Sequence, residues 1–227
     1  MQWIFPSKGN EMKAIKTGIT SFDWYLKGGL APTVFLLVGI PGSGTEIFAR
    51  QIAYNCAVND KISYFTVNSN GNYIKKNMLD YGFNVDQLEK NRSWRNLQIN
   101  KENNLVNKVI SEMDEQRTVI IDSLSELILQ HKLETVIDLI TQMCLKNNGS
   151  NRFHMLLLTE GMQDQKVDST IKHFAEGIIE FNMSWMGNSH VRYLFVKKNQ
   201  GAIVPARRLE YSLSQNGIVI ETAKRIN

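Results

Sequence analysis

Apolar residues in this chain fall into blocks whose period switches between two and 3.6, the signature of strands alternating with helices. Val34 to Val38 ("VFLLV") is apolar without a break, as in a strand buried on both faces. Between Glu46 and Val58, residues Ile47, Phe48, Ile52, Ala53 and Cys56 recur near helical spacing, which predicts a helix. Lys61 to Val67 reads as a second strand, and "NYIKKNMLDYGF" as a helix ending near Gly82. Leu105 to Gln116 predicts a third helix and Thr118 to Asp122 a third core strand. Leu133 to Asn147 follows as a fourth helix, and Phe153 to Thr159 as a fourth strand. From about Glu176 the texture changes to short β-rich runs: "GIIEFNM", "HVRYLFVKK", "RRLEYSL" and "GIVIET". Turn signals "MGN" and "QNG" separate some of these, predicting hairpins. The order implies an α/β fold in three layers, with a mostly parallel sheet and antiparallel strands added at one edge.

A length of 227 residues suits one domain, and no repeat or Pro/Gly/Ser linker divides it. The expected division is an extension over residues 1–12 and a single domain over 13–227. Hydrophobic residues at 43% and charged residues at 21% are ordinary for a folded soluble protein. A formal charge of +4 permits contact with nucleic acid or an acidic partner without requiring it. Cys56 and Cys144 both fall in helical apolar patterns and are expected as buried thiols in a reducing compartment. The His and Cys residues show no metal-ligand spacing, and His154 and His173 are expected at the edge of the core. The N-terminus lacks a signal-peptide h-region, and no run approaches the roughly 18 apolar residues of a membrane span. A cytoplasmic protein without membrane contact is expected. The apolar Trp3, Ile4 and Phe5 are expected to pack on the domain, and Met12 could be an internal start.

The candidate chemistry begins at "GIPGSGTE", residues 39–46, between a predicted strand and a predicted helix. Phosphate-binding loops of pattern G-x-x-x-x-G-K-[ST] occur at such turns. Gly39 and Gly44 have that spacing, with Pro41 between them, and Gly39, Gly42 and Gly44 together with Ser43 can present backbone N–H groups at a helix N-terminus. The two following positions hold Thr45 and Glu46 in place of Lys and Ser/Thr. Thr45 supplies no charge to a phosphate. Glu46 offers either a metal-binding carboxylate or one that satisfies the helix N-terminus. It can also pair with Arg50, four residues on. Arg50 itself lies about 140° around the helix from position 45, so it is not expected to replace the lysine. The strand "TVIID" ends in Asp122 and has the form of a Walker B element, whose carboxylate holds Mg²⁺.

Several ordered motifs together resemble the KaiC-type branch of the RecA/RadA superfamily, in its compact archaeal single-domain form. "KTGITSFDWYLKGGLAPTVFLLVGIPGSG" is similar to that family's opening, with Phe22 in place of the usual Leu before Asp23. "IIDSLSEL" resembles its Walker B segment, and "HFAEGIIEF", "RYLFVKKNQG" and "LEYSLSQNGIVI" its closing strands. The likeness runs from about Lys16 to Ile220 and implies a three-layer RecA-like P-loop fold. It also implies a site for ATP or ADP with Mg²⁺, built on the loop residues, Asp122 and Thr159. Metal would be held by Asp122 and Glu46, and Thr159 and Glu160 would lie near the γ-phosphate.

The same likeness marks departures. Where active relatives end the second strand in paired glutamates, this chain has Asn68 and Ser69, neither of which serves as a general base near neutral pH. Of the family's Lys-x-Arg, which reaches a neighbouring subunit's phosphates, Lys198 is kept and Gln200 stands for the Arg. Hydrolysis is therefore expected to be low or absent and nucleotide binding weak. Function is expected through assembly with itself or with an active KaiC/RadA-like relative. A slow ATPase using Lys197, Lys198 or a neighbour's Arg is the alternative. A third reading is a DNA-binding recombination accessory protein, suggested by Lys75–Lys76, Lys197–Lys198 and Arg207–Arg208. In that reading "EGMQDQKVDST" lies where recombinases carry a DNA-contacting loop, though it has no aromatic residue for base stacking.

Overall fold

The computed structural model describes residues 14–67, 69–101, 104–200 and 204–221. The expected extension, Trp3 to Phe5, Met12 and Asn68 lie outside the described residues. A short helix α1 (Thr20–Tyr25) precedes β1 (Val34–Gly39), α2 (Thr45–Ala57) and β2 (Ile62–Val67). Helices α3 (Gly71–Asp80) and α4 (Asp86–Lys90) lead to β3 (Trp94–Ile99), α5 (Leu105–Asp114) and β4 (Thr118–Asp122). Next come α6 (Leu124–Gln130), α7 (Leu133–Asn147), β5 (His154–Thr159) and α8 (Gln165–Phe174). The chain closes with β6 (Gly177–Met186), β7 (Ser189–Asn199), β8 (Leu209–Ser214) and β9 (Gly217–Ile220).

All the strands join one 9-stranded sheet in the order β3-β2-β4-β5-β1-β6-β7-β8-β9. Pairing is parallel from β3 to β6 and antiparallel from β6 to β9, as the residue pattern predicts. β1 is buried along its whole length between β5 and β6. Its residues alternate between two apolar clusters. Phe35 and Leu37 pack with Phe48, Ile52 and Ala53 of α2 on one face. Val34, Leu36 and Val38 pack with Val109 of α5 and Leu139, Ile140 and Met143 of α7 on the other. Two buried faces explain why the strand reads as an unbroken apolar run, and they place α2 at the carboxyl end of the central strand.

Elements with weak apolar signals escape the sequence reading. β3 is an edge strand whose Arg95, Asn96 and Gln98 stay partly or fully exposed. α8 buries only Ile171 and is started by Asp164, whose carboxylate accepts from the Val167 N–H. Much of the segment expected as a loop at 160–170 is therefore helix. Both cysteines are free and half-buried, and burial pushes each thiol up to about 12. His154 is fully buried: Nδ1 accepts from the Val119 N–H at 2.9 Å, and Nε2 faces Asn147 Oδ1 at 3.1 Å. Among the described residues, no helix is long and apolar enough to cross a membrane.

Candidate functional site

The loop after β1 is shaped by close contacts that only small residues allow. A Cβ at Gly39 would lie 2.0 Å from Thr45 Oγ1 and 2.5 Å from Ser43 Oγ. Both hydroxyls fold back beneath the loop, 2.9 Å apart and nearly buried. The Ser43 N–H turns back to the Ile40 carbonyl at 3.1 Å. Gly44 is the N-cap of α2 in the left-handed region (φ 84°), with no side-chain bond to the helix's first N–H groups. Those donors are available to an anion. Two residues from the antiparallel edge hold the loop from outside. The buried Tyr211 hydroxyl donates to the Ser43 carbonyl at 2.6 Å, and Arg192 Nε donates to the Gly42 carbonyl at 3.3 Å.

Beneath the loop opens a cleft of about 250 Å³, lined by Gly39, Ile40, Pro41, Thr45 and Glu46 on the loop side. Arg50, Asp122, Ser123, Glu126, Leu157, Leu158 and Thr159 complete it. A wider cleft of about 720 Å³ shares Glu46 and Arg50 and extends past Asn77, Tyr81, Leu213 and Gln215. The sheet register assembles these residues. β4 ends at Asp122 beside Thr66 of β2, and Gly39 pairs with Thr159 of β5. Ser125 of α6 accepts from the Thr159 N–H at 2.7 Å, and the Glu160 N–H donates to the Gly39 carbonyl at 3.0 Å.

The polar centre of the cleft differs from the sequence expectation in one respect. Arg50 does not pair with Glu46; its Nη2 lies 2.8 Å from Asp122 Oδ2. Arg50 Nε also donates to the Tyr64 hydroxyl at 3.2 Å, and that hydroxyl donates to the same Oδ2 at 2.7 Å. The angle around the helix separates residues 45 and 50 at the backbone, but the length of the arginine stem carries its guanidinium into the cleft. Burial lowers the Arg50 pKa, and the facing Tyr64 and Asp122 outweigh it, so the guanidinium stays charged. Burial, followed by the Asp122 charge, pushes the Tyr64 hydroxyl well above its ordinary value. Glu126 is raised for the same two reasons, in the same order. Glu46, half-buried at the start of α2, forms no ion pair among the described residues.

The Mg²⁺ implied by the likeness can be tested against these residues. Asp122 would have to supply a ligand, yet its Oδ2 already receives both Arg50 and Tyr64. The hydroxyl expected after the loop is replaced by Glu46. Among the described residues, no three His, Cys, Asp or Glu side chains are grouped to hold a metal. In this arrangement the described residues offer a divalent ion no preformed group of three such ligands, and Asp122 meets an ion only beside or in place of Arg50.

Lys198 stands apart from the other candidates. It pairs with Ile178, which pairs with Leu36, so it lies toward the amino end of the sheet and away from its own loop. Its Nζ donates to the carbonyls of Ala175 and His173 at the end of α8. The reach expected of Lys198 is to a neighbouring subunit's phosphates, a contact that a single subunit does not contain. Of the basic pairs, Lys75 is bound by Asp86 and Glu89, Lys197 by Glu180, and Arg208 lies over the Tyr193 ring. Sequence reasoning missed Tyr64, Glu126, Arg192 and Tyr211. The available signals were faint: single tyrosines within β2 and β8, one arginine within β7 and one carboxylate in α6.

Comparison with known proteins agrees with this fold. The sequence family described as "ATPase: KaiC" matches residues 15–225. A UPF0273 protein of Thermotoga maritima is 26% identical, over 92% of this chain and 96% of its own length. Another, from Methanocaldococcus jannaschii, is 24% identical over the same shares. Among solved structures, a KaiC-like protein from Pyrococcus horikoshii superposes with a TM-score of 0.78 at 18% identity, covering 92% of this chain and 99% of that one. The match spans nearly the whole domain and the fold is the same, so the chain belongs to the KaiC-like ATPase family as a single-domain member.

Proposed function

We propose that this protein is a nucleotide-binding member of its family that acts by assembly or regulation and does not turn ATP over. The observation that carries this reading is the Arg50–Asp122 ion pair, seated where a metal-binding carboxylate would be needed, next to an uncharged Thr45. The loop keeps the glycines and uncapped helix N-terminus that attract phosphate. The adjoining wider cleft has room for the rest of a nucleotide. Chemistry is a different matter, because phosphoryl transfer depends on positioned charges around the transferring group. Of the groups expected to provide them, the loop lysine, the glutamate pair and the trans arginine are absent from the sequence. The partner in this reading is another copy of the chain or an active relative.

The test is calorimetric titration of the purified protein with ATP and ADP, with sedimentation of each sample. Saturable binding that changes the oligomeric state supports the reading. A monomer that binds neither nucleotide at millimolar concentration ends it. A second reading, a slow ATPase, is favoured by Glu126, a partly buried carboxylate on the cleft wall with a raised pKa. A base poised nearer to neutral pH is what proton abstraction from water needs. Phosphate release abolished by Glu126→Gln would move the assignment to that reading.

A further inference from the structure

Among the described residues, Arg50 is the one cationic side chain on the wall of the loop cleft, where it pairs with Asp122 and shares the lining with Glu46 and Glu126. Its side chain is 11% exposed and that of Asp122 17%, so their ion pair is screened little by water. Guanidinium carries five N–H donors. Among the described residues only Nε and Nη2 of Arg50 find acceptors, in Tyr64 and Asp122, which leaves Nη1 without one. The stem is fixed on the second turn of α2, behind uncapped N–H groups that already favour an anion.

We propose that Arg50 is the phosphate-binding cation of this cleft and Asp122 its resident counterion, so that a phosphate group binds by displacing Asp122 from Arg50, without a divalent metal. The inference rests on the nucleotide-site reading above and assigns that site its charge. The physical reason is exchange of like for like. A phosphate offers the guanidinium two oxygens in the fork geometry that a carboxylate uses, and it can at the same time accept from the helix N–H groups. Asp122, held by Tyr64 as well, keeps one partner when Arg50 leaves it. The exchange leaves the cleft's own charges unchanged, so the guanidinium fork and the helix N–H groups hold the phosphate against three carboxylates. The cost is that the phosphate competes with Asp122, which makes the native affinity low.

This predicts a sign opposite to that of a metal-ligand aspartate. Asp122→Asn removes the competitor and keeps the shape. Arg50→Gln removes the cation, and Arg50→Lys keeps a charge without the fork. The experiment is calorimetric titration of the full chain with ATP and with pyrophosphate, in Mg²⁺ and separately in EDTA, for the wild type and each variant. Thermal unfolding of each variant checks that it is folded. Affinity in EDTA should lie within about threefold of that in Mg²⁺. Asp122→Asn should bind about tenfold tighter in EDTA, Arg50→Gln should lose binding in both buffers, and Arg50→Lys should fall between. Nucleotide binding that requires Mg²⁺, is lost in Asp122→Asn and is unchanged in Arg50→Gln would overturn the inference and leave the nucleotide site standing. Failure of every form to bind either probe would overturn both. Should Arg50→Gln fail to fold because Asp122 is left unpaired, the sign of the Asp122→Asn effect decides alone.

Discussion

Tyr211→Phe isolates a single contact that ties the closing strands to the phosphate loop. Tyr211 is 3% exposed and its hydroxyl donates to the Ser43 carbonyl at 2.6 Å, next to the N-cap of α2. Phenylalanine keeps the ring, including its edge contact with Phe181 at 6.0 Å, so no cavity opens. What is lost is the hydrogen bond, together with the satisfaction of a carbonyl on a buried residue. A neutral bond contributes a net of about 1 kcal/mol, and an orphaned buried acceptor costs about 1–3 kcal/mol. The expected destabilisation is therefore about 1–2 kcal/mol, or roughly 2–8 °C in Tm for a domain of this size. Urea unfolding measures it, with an unchanged m-value showing that the compactness of the end states is not altered. Because the bond positions Ser43 and the start of α2, nucleotide affinity should fall by about tenfold as the N–H groups lose their fixed aim. Tyr193→Phe, on the neighbouring strand and beneath Arg208, provides the comparison and should change neither quantity. A Tyr211→Phe protein with wild-type stability and affinity would refute the claim that the edge strands hold the loop.

Three further outcomes follow from particular residues. Thr45→Lys combined with Glu46→Thr restores the loop cation and removes a carboxylate; charge-assisted bonds of about 1.5–3 kcal/mol each should tighten ATP binding at least about tenfold by calorimetry. His154 is held neutral by burial and by the adjacent Arg152 charge, with its pKa lowered from 6.5 to about 3. The unfolded chain therefore binds the extra proton between those values. Stability should be complete above pH 6.5 and fall by roughly 2–3 kcal/mol between pH 7 and pH 4.5, and His154→Gln should flatten that part of the profile measured by urea unfolding. Lys198→Ala removes the donors that meet the Ala175 and His173 carbonyls, so it should cost about 1 kcal/mol of stability and leave the nucleotide affinity of the isolated subunit unchanged.

The central architecture was legible because burial writes itself into the residue pattern. β1, the glycine loop, α2 and the strand ending in Asp122 all follow from apolar blocks and turn chemistry. β3 was not legible because an edge strand with Arg95, Asn96 and Gln98 does not need an apolar face. α8 was missed because its apolar stripe is short: Val167, Ile171 and Phe174 have helical spacing, but only Ile171 is fully buried. At the site, the sequence placed the loop residues, Asp122 and Thr159 at one rim, and the register brings them to one cleft. It did not foresee the partner of Arg50. The i,i+4 rule pointed to Glu46, but a long flexible side chain can choose a tertiary partner. Asp122 lies 72 residues away in sequence and offers a buried carboxylate already oriented by Tyr64. Tyr211 and Arg192 were hidden for a related reason: only the antiparallel register shows that they stand against the loop.

The central claim is that the cleft holds a nucleotide without turning it over. The most direct measurement is to hold concentrated protein with ATP for several hours, follow binding by equilibrium dialysis, then denature the mixture and identify the nucleotide. The account predicts intact ATP, with no more ADP than in a protein-free control. Stoichiometric or catalytic ADP, or no bound nucleotide at all, would contradict it.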